Sequence, residues 1–345
     1  MITRMPMARR PGLTLTEALV AMFVAALGMI SLLTLFPLGA LQMGQALKDS
    51  RTAEAARQAD SLMRNYWRDA VDPSLSIDPN MLLWMNDPEN GTTPNGSPRV
   101  TSGVSYPLFL DPIGENSSTG NVGRYWMTPK TIPPATVPLV ISRPGLPRRN
   151  LGSGITNTFP QRLRFCTLLD DLTYDETGTG VPKLATPVER GGRYNWLAIV
   201  QRPENAAQNI ANMTILVFDG RAPGYAIPNG ELVCPVTIVP VAGAKVSSLT
   251  LTFSSLLPPV RPPVSKGRWI GLHTLISAPG GTPSTQTNIL QFYRVVSAND
   301  ETPGQLDIEL QTPIRDDQVL LNANTTAIVF TGLSEVFERP QLNGK

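Results

Sequence analysis

The chain has 345 residues, and its charges nearly balance, with 29 Lys and Arg against 27 Asp and Glu. A net charge of +2 argues against a general nucleic-acid binder, and a single histidine with two cysteines argues against a His/Cys zinc cluster. The 33 prolines and 28 glycines follow no G-X-Y period, which excludes collagen.

The N-terminal 36 residues predict a membrane-spanning helix behind a short basic leader. Residues 1–12 carry three arginines and no acid, whereas residues 13–36 carry Glu17 as their one charge. A helix of that length is roughly 36 Å long, enough to cross a hydrocarbon core of roughly 30 Å. Arginines on the N-terminal flank predict a cytoplasmic N-terminus, so the bulk of the chain is expected on the far side of the membrane.

Two simpler interpretations of this segment stay open. A secretory signal peptide has a shorter apolar region and a small-residue cleavage site, and no clear site of that kind follows Pro37. A plain uncleaved anchor accounts for the length of the apolar run but not for Glu17. A carboxylate in an apolar helix costs up to roughly 2.5–3.5 kcal/mol at the bilayer centre, which makes it a functional hypothesis by default.

The residues around this carboxylate resemble a known processing signal. The run Arg9-Arg-Pro-Gly12 followed by Leu13-Thr-Leu-Thr-Glu17 and Ala-Leu-Val-Ala21 is similar to the prepilin signal of type IV pilins and type II secretion pseudopilins. Gly12 matches the cleavage position, Leu13 the new N-terminus and Glu17 the fifth mature residue. The run from Glu17 to Ala21 resembles most closely the minor pilin and pseudopilin group called V or I. Two departures are a leucine as first mature residue and a proline before the cut.

The resemblance implies a processing reaction and a set of partners. A prepilin peptidase would cut after Gly12 and methylate the new amine on Leu13, in the inner membrane. When subunits stack, Glu17 of one would neutralise the amine of a neighbour, and a misaligned subunit would leave a buried charge unpaired. The other reading has Glu17 reach the lipid headgroups without pairing.

Residues 37–72 predict a helical stalk that continues out of the membrane. No glycine or proline interrupts Gln45 to Val71, and alanine is frequent there. Pro37 and two following glycines predict a kink or local unwinding between the two halves. Asp60 and Arg64 are spaced for an ion pair. The apolar stripe of the stalk contains Leu47, Ala55, Ala59, Leu62 and Tyr66.

The rest of the chain predicts loops and then a β-rich domain. Residues 73–160 contain much turn chemistry, with Val104–Leu110 as the clearest strand. Residues 161–345 predict roughly eight to ten strands in a sandwich- or barrel-like domain, so the fold class is α+β. The expected strands cover 163–169, 195–201, 215–218, 231–239, 249–253, 268–276, 289–297, 306–310 and 327–330.

The two cysteines lie in expected strands of this domain. Cys166 and Cys234 would lie outside the cytoplasm, where disulfides persist. A bridge between them and a pair of reduced, buried thiols both remain open.

Other polar groups carry weaker hypotheses. Asp170, Asp171, Asp175 and Glu176 form either a calcium site without EF-hand spacing or a solvated acidic turn. A basic patch of three arginines lies within residues 143–149 without interleaved aromatics, so no nucleic-acid partner is expected. His273 is expected in a strand, and no triad or phosphate-loop signature frames the Ser, His, Asp or Gly residues, so no enzyme activity, cofactor or small-molecule substrate is expected.

The sequence therefore predicts a pilin-like structural subunit, either in a type IV pilus or in a type II secretion pseudopilus, and as a minor subunit. Its partners would be a prepilin peptidase, other pilin or pseudopilin subunits and inner-membrane lipid. The alternative is a membrane-anchored envelope module that binds a partner without forming a filament. Without the three arginines of the leader, 26 basic residues face 27 acidic ones, so the slight basicity of the chain belongs to its leader.

Overall fold

One long helix precedes a mostly β remainder, which confirms the predicted order of secondary structure. A computed structural model describes residues 14–71, 107–112, 168, 193–203, 210–221, 231–238, 246–253, 261–277, 286–300, 302–314 and 325–343. Helix α1 covers Leu15–Val71. The strands of the described residues are β1 (Leu108–Leu110), β2 (Tyr194–Gln201), β3 (Ile210–Asp219), β4 (Glu231–Thr237), β5 (Ser248–Thr252), β6 (Trp269–Ser277), β7 (Gln286–Asn299), β8 (Gln305–Leu310), β9 (Thr325–Phe330) and β10 (Leu333–Asn343).

Helix α1 is continuous where the sequence predicted local unwinding. Pro37 lies inside the 57-residue helix, and the helical assignment runs through Gly39 and Gly44 without a break. Proline removes one backbone hydrogen bond, but the alanines and leucines around it favour helix, and the helix continues past Pro37. Of the expected kink or local unwinding, the unwinding is therefore wrong, and the kink stays a prediction. The chain divides into two compact units, residues 1–50 and 51–345, and the boundary falls within this helix.

The second unit contains a four-stranded antiparallel sheet in the order β1-β2-β3-β10. Its central strands are buried on both faces, so they appear as apolar runs rather than as an apolar–polar alternation. Trp196, Ala198 and Val200 on β2 lie on one face, and Leu197 and Ile199 lie on the other.

The stalk part of α1, residues 51–71, covers the first of these faces. Ala55, Ala59 and Tyr66 of the predicted stripe are buried there, whereas Leu62 is half-buried. Leu47, which the sequence placed in the same stripe, is exposed and belongs to the first unit. The small alanines let the helix backbone approach the sheet, and larger side chains fill the space beside them. Other buried members of this cluster include Ala56, Met63, Trp67, Ile215, Val217 and Leu342.

The remaining six strands close into a barrel in the order β4-β5-β8-β7-β6-β9. Strand β8 shows the alternation of buried and exposed residues that is typical of a barrel strand: Leu306, Ile308 and Leu310 are buried, whereas the residues between them are exposed. Every barrel strand contributes apolar side chains to one buried cluster, which fills the interior as alternation in a small barrel requires. The sequence left open a sandwich or a barrel, and the fold is a barrel joined to a separate open sheet.

The outer wall of the barrel packs against the second face of the sheet. Phe330 of β9 lies at the centre of this contact, with ring centroids 6.3 Å from Phe109, 5.9 Å from Phe218 and 6.4 Å from Phe292. Phe292 in turn covers Gly271, at which a Cβ would lie 3.0 Å from the ring. The sheet is therefore a middle layer between the stalk helix and the barrel.

An ion pair adds a polar tie to this apolar layer. Arg221, just after β3, donates two hydrogen bonds of 2.9 Å to the carboxylate of Asp111, just after β1. Asp111 is fully buried, and the guanidinium also lies 4.4 Å from the centroid of the Phe218 ring. A planar bidentate pair stacked on an aromatic ring satisfies a buried carboxylate that would otherwise be costly.

The turn that joins barrel strand β9 to sheet strand β10 requires a glycine. Gly332 has a φ of +76°, and a Cβ there would lie 2.9 Å from the carbonyl oxygen of Asp219. The amide of Asp219 donates a 2.8 Å hydrogen bond to the carbonyl of Gly332, so the close approach is part of the junction.

We predict that Gly332→Ala destabilises the protein more than Gly267→Ala. Both glycines have positive φ, which costs an alanine on the order of 1–3 kcal/mol, but Gly267 has open space where its Cβ would stand. Chemical denaturation of the full chain in detergent measures the free energy of unfolding of each variant. Equal losses would contradict the requirement for close approach at Gly332.

Candidate functional site

The candidate site is the first half of α1, residues 15–47, which is built from two features: a capped N-terminus and an exposed apolar surface. The carbonyl of Thr14 accepts hydrogen bonds of 3.1 Å from the amides of both Glu17 and Ala18, which makes Thr14 the N-cap residue. The hydroxyl of Thr14 lies 3.4 Å from the amide of Glu17 and 3.1 Å from the hydroxyl of Thr16.

Thr14 and Glu17 together have the spacing of a capping box. In that motif a Ser or Thr at the N-cap is followed three residues later by Glu or Gln. Glu17 is exposed in the first turn, where a negative charge also interacts favourably with the helix dipole. The sequence analysis missed the contribution of Thr14, although the spacing Thr-x-x-Glu before an apolar run was the signal for it. Besides the pairing with a neighbouring amine that the sequence predicts, the side chain of Glu17 is therefore suited to stabilise the start of its own helix.

The surface that follows Glu17 is apolar all round. The helix holds an 18-residue window with a mean hydropathy of 2.5, and none of that window is buried. Seventeen large apolar side chains between Leu15 and Leu47 are exposed, with values from 50% to 79%, whereas Val296 is the one other such residue in the described part of the chain. A helix of this length and composition could span a membrane.

Two polar side chains of this half bond within their own helix: Gln45 Nε2 donates a 2.8 Å hydrogen bond to Asp49 Oδ1, and Ser31 bonds a backbone carbonyl. The hydroxyl of Ser31 donates a 3.0 Å hydrogen bond to the carbonyl of Leu27, one turn earlier. Such a bond hides a hydroxyl from an apolar solvent at little cost. The segment from Ala18 to Leu41 thus presents hydrocarbon to its surroundings at almost every described position.

Several predicted site residues fall elsewhere. Gly12 and Leu13, at the expected cleavage position, lie outside the described residues, as do the acidic group at residues 170–176 and the arginines of residues 143–149. His273 is fully buried in β6 opposite Thr326, which confirms the prediction of a strand histidine. Within the described ranges, no group of three or more His, Cys, Asp or Glu residues could hold a metal ion.

Cys234 lies on β4 inside the barrel. It is fully buried in the apolar cluster and has no disulfide partner among the described residues, and burial raises the pKa of its thiol to about 12. Cys166 lies outside the described residues, so a bridge between the two cysteines stays a prediction.

Comparisons with protein-family models, with curated proteins and with solved structures each found no match to this chain.

We predict that Cys234 resists alkylation in the folded protein. At pH 8 a thiol of pKa about 12 is ionised in about one molecule in ten thousand, and the barrel also excludes the reagent. A Cys166→Ser variant isolates Cys234, and mass spectrometry after iodoacetamide treatment with and without denaturant measures its modification. We expect iodoacetamide to modify Cys234 completely when denaturant is present and hardly at all when it is absent. Equal rates of modification in the two conditions would contradict a buried thiol.

Proposed function

We propose that this protein is a pilin-like structural subunit that is cut after Gly12 and assembles through the N-terminal half of α1 into a type IV pilus or a type II secretion pseudopilus, as a minor subunit. One observation carries this proposal: a wholly exposed apolar half-helix that starts with a carboxylate and continues into a helix packed on a folded β unit.

The apolar half-helix needs an apolar environment. Burying a Val, Leu, Ile, Phe or Met side chain contributes about 1.5–3 kcal/mol relative to leaving it in water. Seventeen such exposed side chains on one element far exceed what a soluble monomer tolerates. Lipid before assembly, and neighbouring helices after it, would both satisfy this surface.

Glu17 supplies a carboxylate within the apolar helix, which a plain membrane anchor does not need. Hydrolysis of the bond between Gly12 and Leu13 leaves a carboxylate on the leader and an amine on Leu13, four residues before Glu17. In an apolar surrounding, pairing of that amine with Glu17 of a neighbour is favoured because each charge is costly when left alone. The pairing would fix the register between subunits.

The proposed topology follows from the leader. Arg4, Arg9 and Arg10 hold the N-terminus in the cytoplasm, and the bulk of the chain lies in the periplasm, or outside the cell after assembly. The protein would cross the inner membrane once. Prepilin peptidase, other pilin or pseudopilin subunits and membrane lipid are its proposed partners, and no catalytic role is assigned to it.

A membrane-anchored binding module is the second candidate. The observation that favours it is the six-stranded barrel, which extends the β unit beyond the sheet that covers the stalk helix. A module of this kind would use the apolar half-helix as an anchor and the barrel as a binding surface, without filament contacts.

Cleavage tests the first step of the proposal. Co-expression with a prepilin peptidase should shorten the chain by its 12 leader residues and leave Leu13 as the N-terminus, as measured by mass spectrometry of the intact protein. The matched control is Gly12→Leu, which should block the cut. An uncut wild-type chain, under conditions that process a known prepilin, would overturn the proposal.

Replacing Glu17 with Gln and with Ala separates its two properties. Gln preserves the capping-box spacing but removes the charge, whereas Ala removes both. We expect both variants to insert and to be cut but to be lost from filaments, because an unpaired buried amine costs about 3–5 kcal/mol. Filament content by immunoblot is the measurement. Ser31→Ala is the control, because it removes a hydroxyl from the same apolar half-helix, bonded to the Leu27 carbonyl, without changing the charge. Normal assembly of Glu17→Gln would refute charge pairing as the basis of register. Absence of the wild-type chain from filaments would favour the anchored module.

A further inference from the structure

The last strand of the sheet carries an irregularity that leaves two of its carbonyl groups outside the β3 ladder. On β10, Arg339 pairs with Met213 and Leu342 pairs with Ala211, so Pro340 and Gln341 together face one residue of β3. This is a β-bulge, and proline is compatible with it because it has no amide hydrogen to donate to the ladder. The side-chain amide of Gln341 bridges the bulge with a 3.0 Å hydrogen bond to the side chain of Asn212.

Arg64 of the stalk helix binds these two carbonyls. Its Nη2 donates a 3.1 Å hydrogen bond to the carbonyl of Pro340, and its Nη1 donates a 3.4 Å hydrogen bond to the carbonyl of Gln341. The bonds join parts of the chain that are 276 and 277 residues apart in sequence. The guanidinium therefore completes the hydrogen bonding of the bulge from the neighbouring layer.

Asp60, one helical turn before Arg64, orients the guanidinium. Its Oδ2 accepts a 3.2 Å hydrogen bond from Arg64 Nε, and its Oδ1 lies 3.1 Å from Nη2. All three guanidinium nitrogens are thus engaged, in a planar arrangement that a lysine ammonium cannot reproduce. The sequence analysis predicted the pair of Asp60 and Arg64, but not its contact with β10.

Beyond the bulge, β10 closes the core beneath the helix. Leu342 is 1% exposed and belongs to the same buried cluster as Ala59, Met63 and Trp67 of the stalk. Within the described residues, which end at Asn343, Leu342 and Asn343 continue the ladder with β3 past the bulge, so this part of the strand has few backbone bonds of its own. The position of this strand end therefore depends on the stalk helix, and the buried cluster beneath the helix depends in turn on Leu342.

We propose that Arg64, Asp60 and residues 340–343 form a clasp that holds the stalk helix on the sheet and that opens as one unit while the barrel stays folded. The stalk helix and the end of β10 share one core and one polar tie, whereas the barrel has its own closed set of strands and its own core. Local opening follows such boundaries between cooperative units. Opening the clasp would free the membrane-proximal stalk from the sheet without exposing the barrel interior. This inference does not rest on the proposed assembly of the protein.

Hydrogen exchange of the full chain in detergent micelles tests the clasp. Arg64→Met keeps the apolar stem of the side chain and removes the guanidinium. We expect amide exchange to become about tenfold faster in residues 59–67 and 337–343 together, because hydrogen bonds from a charged donor are lost in a partly exposed site. Exchange in β6, β7 and β8 should stay at the wild-type rate.

Two further variants keep the test decisive. Arg57→Met alters an exposed arginine of the same helix segment and should leave exchange unchanged. Arg64→Lys should accelerate exchange in both segments by less than Arg64→Met, and it decides the outcome if the methionine variant does not fold. Unchanged exchange in both segments, acceleration of one segment alone, or equal acceleration of the barrel strands would each overturn the proposal.

Discussion

The structure depends on one helix that has to satisfy two different environments along its length. From Arg51 onward, α1 buries alanines and aromatic side chains against the sheet, and the sheet needs that cover because its central strands are apolar on both faces. Before that point the same helix buries none of its large apolar side chains. No residue interrupts the helical backbone between the two parts, so the change lies entirely in the side chains and in what surrounds them.

The packing of the second unit follows from this constraint in layers. The stalk covers one face of the sheet and the barrel covers the other, with Phe330 at the centre of the second contact. Polar ties occur where the layers join: Arg221 with Asp111 on the barrel side, and Arg64 with the bulge of β10 on the helix side. Arg221 satisfies a fully buried carboxylate, whereas Arg64 bonds two carbonyls of an exposed bulge.

The sequence predicted the local parts of this fold well and its non-local parts poorly. The end of α1 at Val71 and the strands around residues 195–201, 231–237 and 269–277 follow from apolar periodicity and turn residues, which are local signals. Strand β10 was missed because its Glu335, Glu338 and Pro340 obscure alternation, and its place in the sheet depends on pairing with β3. The barrel order was likewise not readable, since β4 pairs with β9 across a long stretch of chain. At the candidate site, Glu17 was found from its exceptional charge, whereas the cap at Thr14 was missed although its spacing to Glu17 is a local signal. The contact of Arg64 with β10 depends on the fold and could not be read from the sequence.

The central claim is that residues 1–50 serve an apolar environment, whereas residues 51–345 form a self-sufficient folded unit. Flotation with phospholipid vesicles, combined with thermal unfolding followed by circular dichroism, tests this most directly on the full chain and on a fragment that begins at Arg51. The account predicts that the full chain floats with the vesicles, and that the fragment stays in solution and unfolds cooperatively. A fragment that floats, or that has no cooperative transition, would contradict the division of α1 between two environments.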